Sequence, residues 1–366
     1  MILMAEKTDP HRGTRLLIIA ATLVIILWGI NQAQSVVVLF LVAAFLAAIG
    51  TVPVLWLETK RVPKIVAVLV VVAAMVTCVL GVGAVVGESL SDFSNALPSY
   101  QTRLNSMLSE LRALLASKGV KVTDRMLRGY LNPAALMNLT PTMFAALGSV
   151  FSNAVVILFT VVFILLEASS FPAKIRSVLD KPGAVFPQAT RFVGEIQHYM
   201  VVKTLINLIA GALTMMWLSI LGVDYPVLWG FLAFLFHFVP NIGSVVAAVP
   251  AVLLAWVQLG GGAAALTAAG YLVIGMVVGN VVEPKVMGRT LGLSTLVIFI
   301  SLILWGSLLG LIGALLCVPL TMTLKLACQE REDTRWIAVL LGHEGAVGGV
   351  PAGTPRRRPW RRWVHL

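Results

Sequence analysis

Several polar side chains interrupt stretches of this sequence that are otherwise apolar. Lys203 and Asn207 follow Tyr199 at intervals of four residues, so all three occupy one face of a helix. Polar groups are costly inside a membrane and mark pathways or internal pairs. We therefore place Lys203 and Asn207 on a candidate substrate pathway. The alternatives for Lys203 are snorkelling to the headgroups or pairing with Glu167.

A second polar group lies in an uncharged stretch of 33 residues, Pro226 to Gln258. As one helix this stretch would run roughly 50 Å, beyond the ~30 Å hydrocarbon core of a bilayer. Pro240 removes a backbone donor and Gly243 frees the backbone, which predicts two half-helices meeting inside the membrane. Such breaks commonly mark the substrate site of a transporter, so His237 and Asn241 become candidates. A histidine bonded to freed carbonyls is the alternative.

A third polar group surrounds Pro284. Proline disfavours the α conformation at the preceding residue, so the helix is expected to stop near Val282 and leave Glu283 near the external boundary. A structural pair of Glu283 with Lys285 or Arg289 is the alternative to a role in the pathway. The substrate-pathway candidates are His237, Pro240, Asn241, Gly243, Asn280, Glu283, Lys203 and Asn207.

Enzyme motifs are missing from the sequence. It has no P-loop, HExxH or GxSxG motif and no Cys/His constellation. Cys78, Cys317 and Cys328 are widely spaced in apolar stretches and lack metal-ligand spacing. We predict a protein that is not an enzyme, with no cofactor and no metal site.

The composition predicts the elements that must position these groups. Apolar residues make up 59% of the chain and charged residues only 12%, against ~25% charged in soluble domains. The stretches are apolar all round, which predicts an all-α polytopic membrane protein of about eight spans with one broken helix pair. Besides the broken stretch they are Leu16 to Ile30, Val36 to Leu57, Ile65 to Gly87, Leu147 to Ser169, His198 to Leu221, Gly262 to Val282 and Leu291 to Ala327.

Orientation follows from the basic residues, which crowd short loops and the C-terminus and so place both ends in the cytoplasm. An even number of crossings is required, and one crossing per stretch gives eight. Two hairpins in place of two bent spans would preserve the parity. Candidate hinge or structural positions are Pro284, Gly288, Gly306, Gly310, Gly313 and Pro319.

The predicted organisation has seven segments. Residues 1–15 form the cytoplasmic N-terminus, 16–87 the first three membrane helices, and 88–146 an external amphipathic helical segment. Residues 147–169 form the fourth membrane helix, 170–197 a cytoplasmic loop, 198–327 the transport core, and 328–366 a basic cytoplasmic tail. The net charge of +11 suits anionic lipid headgroups, and no nucleic-acid motif accompanies it. The external segment suits contact between subunits of a homo-oligomer.

Three blocks of the sequence resemble the autoinducer-2 exporter (AI-2E) family of bacterial permeases. They run from Phe236 to Pro250, from Gly279 to Val297 and from Leu304 to Leu320, and they carry Val-Pro-Asn-Ile-Gly, Glu-Pro-Lys-Val-Met-Gly and Trp-Gly-Ser-Leu-Leu-Gly. Two positions depart from the family pattern. His237 stands where Asn is usual, which puts the substrate in question, and Leu311 replaces a frequent Pro.

The resemblance implies a multi-pass secondary transporter of the bacterial inner membrane that forms homo-oligomers. Family members are associated with export of autoinducer-2, a small polyhydroxylated furanone, and some with sodium- or lithium-for-proton antiport. We expect an exporter of a small polar metabolite, with H⁺ or Na⁺ as the coupling ion and the lipid bilayer as its other partner. The alternatives are a monovalent cation/proton antiporter and a membrane scaffold that transports nothing.

Overall fold

The structure, a computed structural model, describes residues 10–117, 152–168, 185–240, 242–287, 293–329 and 334–342. Asn241, Gly288 and residues 118–146 of the expected external segment lie outside these ranges. The helices are α1 (Pro10–Gln32), α2 (Gln34–Thr59), α3 (Lys64–Ser117), α4 (Ala154–Ala168), α5 (Val185–Leu221), α6 (Pro226–Phe236), α7 (Gly243–Leu259), α8 (Gly261–Val277), α9 (Glu283–Met287), α10 (Thr295–Leu315), α11 (Cys317–Gln329) and α12 (Arg335–Leu340). The predicted all-α fold is confirmed.

Among the described residues, five helical segments are long and apolar enough to cross a membrane: Gln34–Thr59, Lys64–Met107, Gly194–Leu221, Gly261–Val286 and Thr295–Leu315. They carry large apolar side chains on their outer surfaces, with Phe40 56% exposed and Leu272 67% exposed. Helices that are apolar all round suit lipid on one side and a packed interior on the other. The chain is a multi-pass membrane protein.

The helix α3 is far longer than a membrane span. Its 54 residues would extend roughly 80 Å at 1.5 Å per residue. The boundary expected between residues 87 and 88 therefore falls inside one continuous helix. Its first part buries Ala67, Val68 and Val71 against α2 and α4, whereas its later part packs on α6 and α7.

The two halves of the broken stretch, α6 and α7, form a hairpin. Gln258, at the end of α7, donates from Nε2 to the carbonyl of Gly222 (3.1 Å) and accepts at Oε1 from the amide of Asp224 (2.9 Å). Both of those partners lie just before α6, so the chain returns to the end where it entered. We call Pro226–Leu259 the first hairpin.

The last long stretch also folds back on itself. Trp305 of α10 donates from Nε1 to Thr321 Oγ1 of α11 (3.1 Å), so the two helices run antiparallel. Leu293, before α10, forms an isolated antiparallel bridge with Gly342, after α12. The beginning and the end of this stretch thus lie together, and we call Thr295–Gln329 the second hairpin.

These contacts favour paired hairpins over two bent spans. The first hairpin starts and ends at the outer end of α5, and α8 then runs back toward the inner end, where the second hairpin begins. The two hairpins therefore enter from opposite ends of the molecule.

Candidate functional site

The tips of the two hairpins meet in the interior. Phe238 and Val239 of the first hairpin share a buried apolar cluster with Leu315 of the second, which follows the reversal of the chain at Gly310. The ring of Phe45, from α2, meets the ring of Phe238 edge to face, with centroids 5.6 Å apart. Non-helical backbone at membrane depth is tolerated where protein or a cavity surrounds it. The break in the first hairpin lies among these packed side chains.

The break itself is a tight turn. The helix α6 ends at Phe236, and the amide of Gly243 donates to the carbonyl of Val239 (3.2 Å). A Cβ atom at Gly243 would overlap the Phe236 carbonyl. Pro240, which has no amide hydrogen, lies in the turn where no helical donor is needed. The predicted interruption at Pro240 and Gly243 is confirmed, and glycine is needed there because two backbone segments touch.

A buried ion pair lies on the neighbouring helices. Lys203 Nζ is 2.7 Å from Glu283 Oε1, and the two side chains are 4% and 24% exposed. The alternative pairs of Lys203 with Glu167 and of Glu283 with Lys285 are therefore wrong, and Arg289, the other alternative partner, lies outside the described residues. Because α8 returns to the end of α5 that carries Lys203, the two side chains do not lie toward opposite faces of the membrane as expected. Lys203 does not snorkel, since its ammonium finds an anion inside the protein.

Glu283 reaches this position because the helix continues past Val282. Residues Val278–Val282 form a π-helical turn, and the amide of Glu283 donates to the Val278 carbonyl, five residues earlier. The wider turn leaves room before Pro284, whose ring would clash with an α-helical carbonyl four residues back. Pro284 then stands in the first turn of α9, where no amide donor is required. The expected stop near Val282 is a π turn instead.

Asn207 connects the ion pair to the break. Its side chain is fully buried. With its amide oriented to satisfy both neighbours, Asn207 donates to the carbonyl of Lys203 (3.2 Å) and accepts from the amide of Phe238 (3.1 Å). The Phe238 amide also donates to the Leu235 carbonyl (3.1 Å), so Asn207 adds a second acceptor at the break and ties α5 to it.

His237 contributes an acceptor at the end of α6. Its Nδ1 lies 2.8 Å from the carbonyl of Ala233. A carbonyl only accepts, so Nδ1 carries the hydrogen, and in the neutral ring Nε2 is left as an acceptor. Nε2 is buried and has no hydrogen-bond partner among the described residues. The site therefore offers an unused acceptor beside a break in the backbone.

A cavity of about 380 Å³ adjoins the break. Pro240 and Ile242 line one wall, and Thr295, Ile298 and Leu302 of α10 line another. Mostly apolar walls with a few polar groups nearby are typical of small-molecule sites. Both hairpins contribute to this cavity.

The remaining predicted site residues have varied positions. Asn280 lies in the π turn with an exposed side chain and does not join the polar cluster. Gly310 has φ +64° and produces the kink in α10. A Cβ atom at Gly313 would overlap the Trp305 carbonyl, whereas one at Gly306 would make only ordinary contact. Pro319 is buried near the start of α11.

Sequence reasoning missed a hydrogen-bond network at the outer end of the first hairpin. Tyr100 of α3 donates to Asp224 Oδ2 (2.6 Å), and Trp229 Nε1 donates to the Asp224 carbonyl (2.9 Å). The partners lie 124 residues apart for Tyr100, so no local pattern signals the contact. No group of three or more His, Cys, Asp or Glu that could hold a metal occurs among the described residues.

Comparison with known proteins identifies the family of this chain. The profile of the family described as AI-2E family transporter matches residues 16–332, which include both hairpins and the Lys203–Glu283 pair. The chain belongs to this family. It is 38% identical over 338 residues to the AI-2 transport protein TqsA of Escherichia coli K12, covering 92% of this chain and 98% of that protein.

Two further relatives agree. The putative transport protein YhhT of Escherichia coli K12 is 33% identical over 338 residues, covering 92% of this chain and 97% of that protein. A putative transport protein of Haemophilus influenzae is 33% identical over 345 residues, covering 93% of this chain and 98% of that protein. As a member of the AI-2E family, the chain is a membrane transport protein.

Proposed function

We propose that this chain is a secondary exporter of small, uncharged polar metabolites of the autoinducer-2 type, working in the bacterial inner membrane. One observation carries the proposal: two hairpins enter from opposite ends and meet at a break bordered by a cavity of about 380 Å³. A site that lies between hairpins entering from opposite ends can open to either side in turn. Alternating access of this kind is what a secondary transporter needs.

The polar groups around the break suit an uncharged, hydroxyl-rich ligand. His237 Nε2 is a free acceptor among the described residues, next to the break. Lys203 and Glu283 neutralise each other, so no net charge from this pair is left to attract an ion. Hydroxyl groups both donate and accept, and they complement such a set. The name of the Escherichia coli relative TqsA, an AI-2 transport protein, points in the same direction.

A second candidate, monovalent cation/proton antiport, is favoured by the position of Glu283. An antiporter needs a carboxylate inside the protein, and the side chain of Glu283 is 24% exposed beside a buried lysine. Under this reading the ion pair would open to release the carboxylate for a cation. We rank it second because the pair is closed at 2.7 Å.

The test is reconstitution of the purified chain into liposomes. Uptake of isotopically labelled furanone is measured in one series, and a sodium-driven pH change in another. We expect saturable furanone flux that His237→Leu reduces, because leucine removes the ring acceptor. Sodium-dependent pH change without furanone flux would establish the antiporter instead. No flux in either series, with correctly folded protein, would leave only a scaffold role.

A further inference from the structure

We propose that α3 is a hinged connecting helix, which joins two separately packed parts of the transporter and bends between Val71 and Val86. The inference rests on the proposed transport function, since it describes how one hairpin moves during the cycle. It is carried by three features of α3: a packed beginning, a packed end and an unpacked, glycine-containing middle.

The beginning of α3 belongs to a bundle with α2 and α4. Ala67 and Val68 are fully buried and Val71 is 6% exposed. They form one apolar cluster with Ala43 of α2 and Val161 of α4. Lys64, at the first residue of α3, donates to the Leu166 carbonyl at the end of α4 (2.6 Å). We call this part the inner bundle.

The later part of α3 is fixed to the first hairpin. Val86, Phe93 and Tyr100 recur every seven residues on one face and are 6%, 4% and 8% exposed. The ring of Phe93 meets the ring of Trp229 edge to face, with centroids 5.5 Å apart. Tyr100 donates to Asp224 (2.6 Å) at the base of the hairpin. We call this part of α3 the outer arm.

A residue with a strained backbone strengthens this attachment. Tyr225 has φ +58°, a conformation that non-glycine residues rarely adopt. Its hydroxyl donates to the Asp92 carbonyl of the outer arm (3.3 Å), and its ring meets Phe93 at 5.7 Å. Strained residues persist where surrounding contacts fix them. The outer arm and the first hairpin therefore behave as one body.

Between these two parts, α3 has little packing against the described part of the chain. Val72 and Met75 still pack partly on the inner bundle, whereas from Val76 to Val85 no residue is buried by the described residues. A Cβ atom at Gly81 or at Gly87 would find no described atom within 4 Å. Glycine lowers the stability of a helix interior, so Gly81 and Gly87 weaken α3 where the described residues give no packing reason for them.

A hinge in the middle of α3 allows its beginning to stay packed in the inner bundle while its later part stays packed on the first hairpin. The first hairpin must shift against the second for the site to open, and the outer arm must follow it. From the middle of the unpacked segment to Leu104 the helix runs roughly 40 Å. A bend of about 10° would displace the arm by about 7 Å at that point. Bending thus absorbs the movement without breaking the Tyr100–Asp224 contact.

The test stiffens the hinge without adding a steric conflict. The double variant Gly81→Ala/Gly87→Ala replaces both glycines by the best helix former. We expect its apparent Tm to rise by about 2 °C or more, and the maximal furanone flux to fall at least about threefold with unchanged KM. Gly29→Ala/Gly194→Ala is the matched control, because both sites are helical and equally open. It should raise Tm without lowering flux.

A second readout does not depend on transport. Hydrogen exchange of the α3 backbone amides, followed by mass spectrometry, reports opening of the helix itself. In the parent protein, the amides from Val76 to Val85 should exchange faster than those of the packed parts of α3 on either side. Equal exchange along the whole of α3 would overturn the hinge, whether or not the liposomes transport furanone.

Two further outcomes also overturn the proposal. Wild-type flux in a hinge variant with raised Tm would show that bending of α3 is not needed. Loss of the oligomer on size-exclusion chromatography would assign the glycine face to contact between copies of the chain. If the parent protein carries no flux but the amides from Val76 to Val85 exchange faster than the rest of α3, the hinge stands and the proposed function fails.

Discussion

The Lys203–Glu283 pair makes a quantitative prediction. Glu283→Gln keeps the side-chain size and removes the negative charge, which leaves the Lys203 ammonium, 3% exposed, without an anion. Removing one partner of a buried pair costs about 3–5 kcal/mol. Glu283 is 24% exposed, so water offsets part of this loss, and we take the lower end, about 3 kcal/mol. At about 2 °C per kcal/mol for a large chain, the apparent Tm should fall by about 6 °C.

The measurement is thermal unfolding of the purified protein in detergent, followed by the fluorescence of its nine tryptophans. Glu88→Gln is the matched control: the same chemical change at an exposed residue should move Tm by less than about 1 °C. Adding Lys203→Met to Glu283→Gln removes both charges. Because apolar replacement of a whole buried pair is often neutral or stabilising, the double variant should regain most of the lost Tm.

The outcomes separate a structural pair from a functional one. An unchanged Tm in Glu283→Gln would refute the burial argument, as would a double variant less stable than either single variant. If the double variant regains Tm and also transports furanone at the parent rate, the pair only holds α5 to α9. Recovered stability with lost flux would give the pair a direct part in transport.

Other variants test the break and the orientation of the chain. Gly243→Ala should lower both Tm and flux, because the new Cβ atom overlaps the backbone at Phe236. Gly279→Ala, at an open site, is the control and should change neither. Equal Tm values for Gly243→Ala and the parent protein would contradict the tight turn. Asn207→Leu should destabilise by about 1–2 kcal/mol in thermal unfolding, since the Lys203 carbonyl and the Phe238 amide each lose a buried side-chain partner; no loss would contradict these bonds. A single cysteine replacing Lys285 should be protected from impermeant maleimide on intact cells, while one replacing Asn105 should be labelled. Labelling of both would place α9 outside and disprove the hairpin reading.

The break could be predicted from the sequence because its signals are local. An uncharged stretch too long for one span, with a proline and a glycine in its middle, restricts the backbone whatever surrounds it. The structure adds the reason for glycine at position 243, where a side chain would meet the Phe236 carbonyl. Substitution there changes the turn itself. A larger residue at position 243 therefore tests the turn before it tests any cavity.

The return of the first hairpin could not be predicted, because it depends on contacts between distant residues. Gln258 bonds to Gly222, 36 residues earlier, and a glutamine at a helix end carries no such signal. The basic residues fix only the parity of crossings, which bent spans and paired hairpins share. Bent spans and paired hairpins place Glu283 at opposite ends of the molecule. Its partner, Lys203, could therefore not be identified from the sequence.

Pro284 shows a different limit. The rule that proline disfavours a helix at the preceding residue is statistical, and a π turn satisfies the same steric constraint without ending the helix. The consequence is large, because the continued helix carries Glu283 to Lys203. Glu283, which was expected at the membrane boundary, instead pairs with Lys203 in the protein interior.

The two ends of the first hairpin are held by different kinds of contact, which bears on how the site opens. At the base, the side chains of Gln258, Tyr100 and Trp229 all bond to the turn before α6. At the tip, the described contacts are apolar and aromatic packing plus one amide from Asn207. Apolar surfaces slide past one another with little directional preference, whereas several hydrogen bonds must break together. Opening should therefore start at the tip, where the cavity lies, while the base remains fixed to α3.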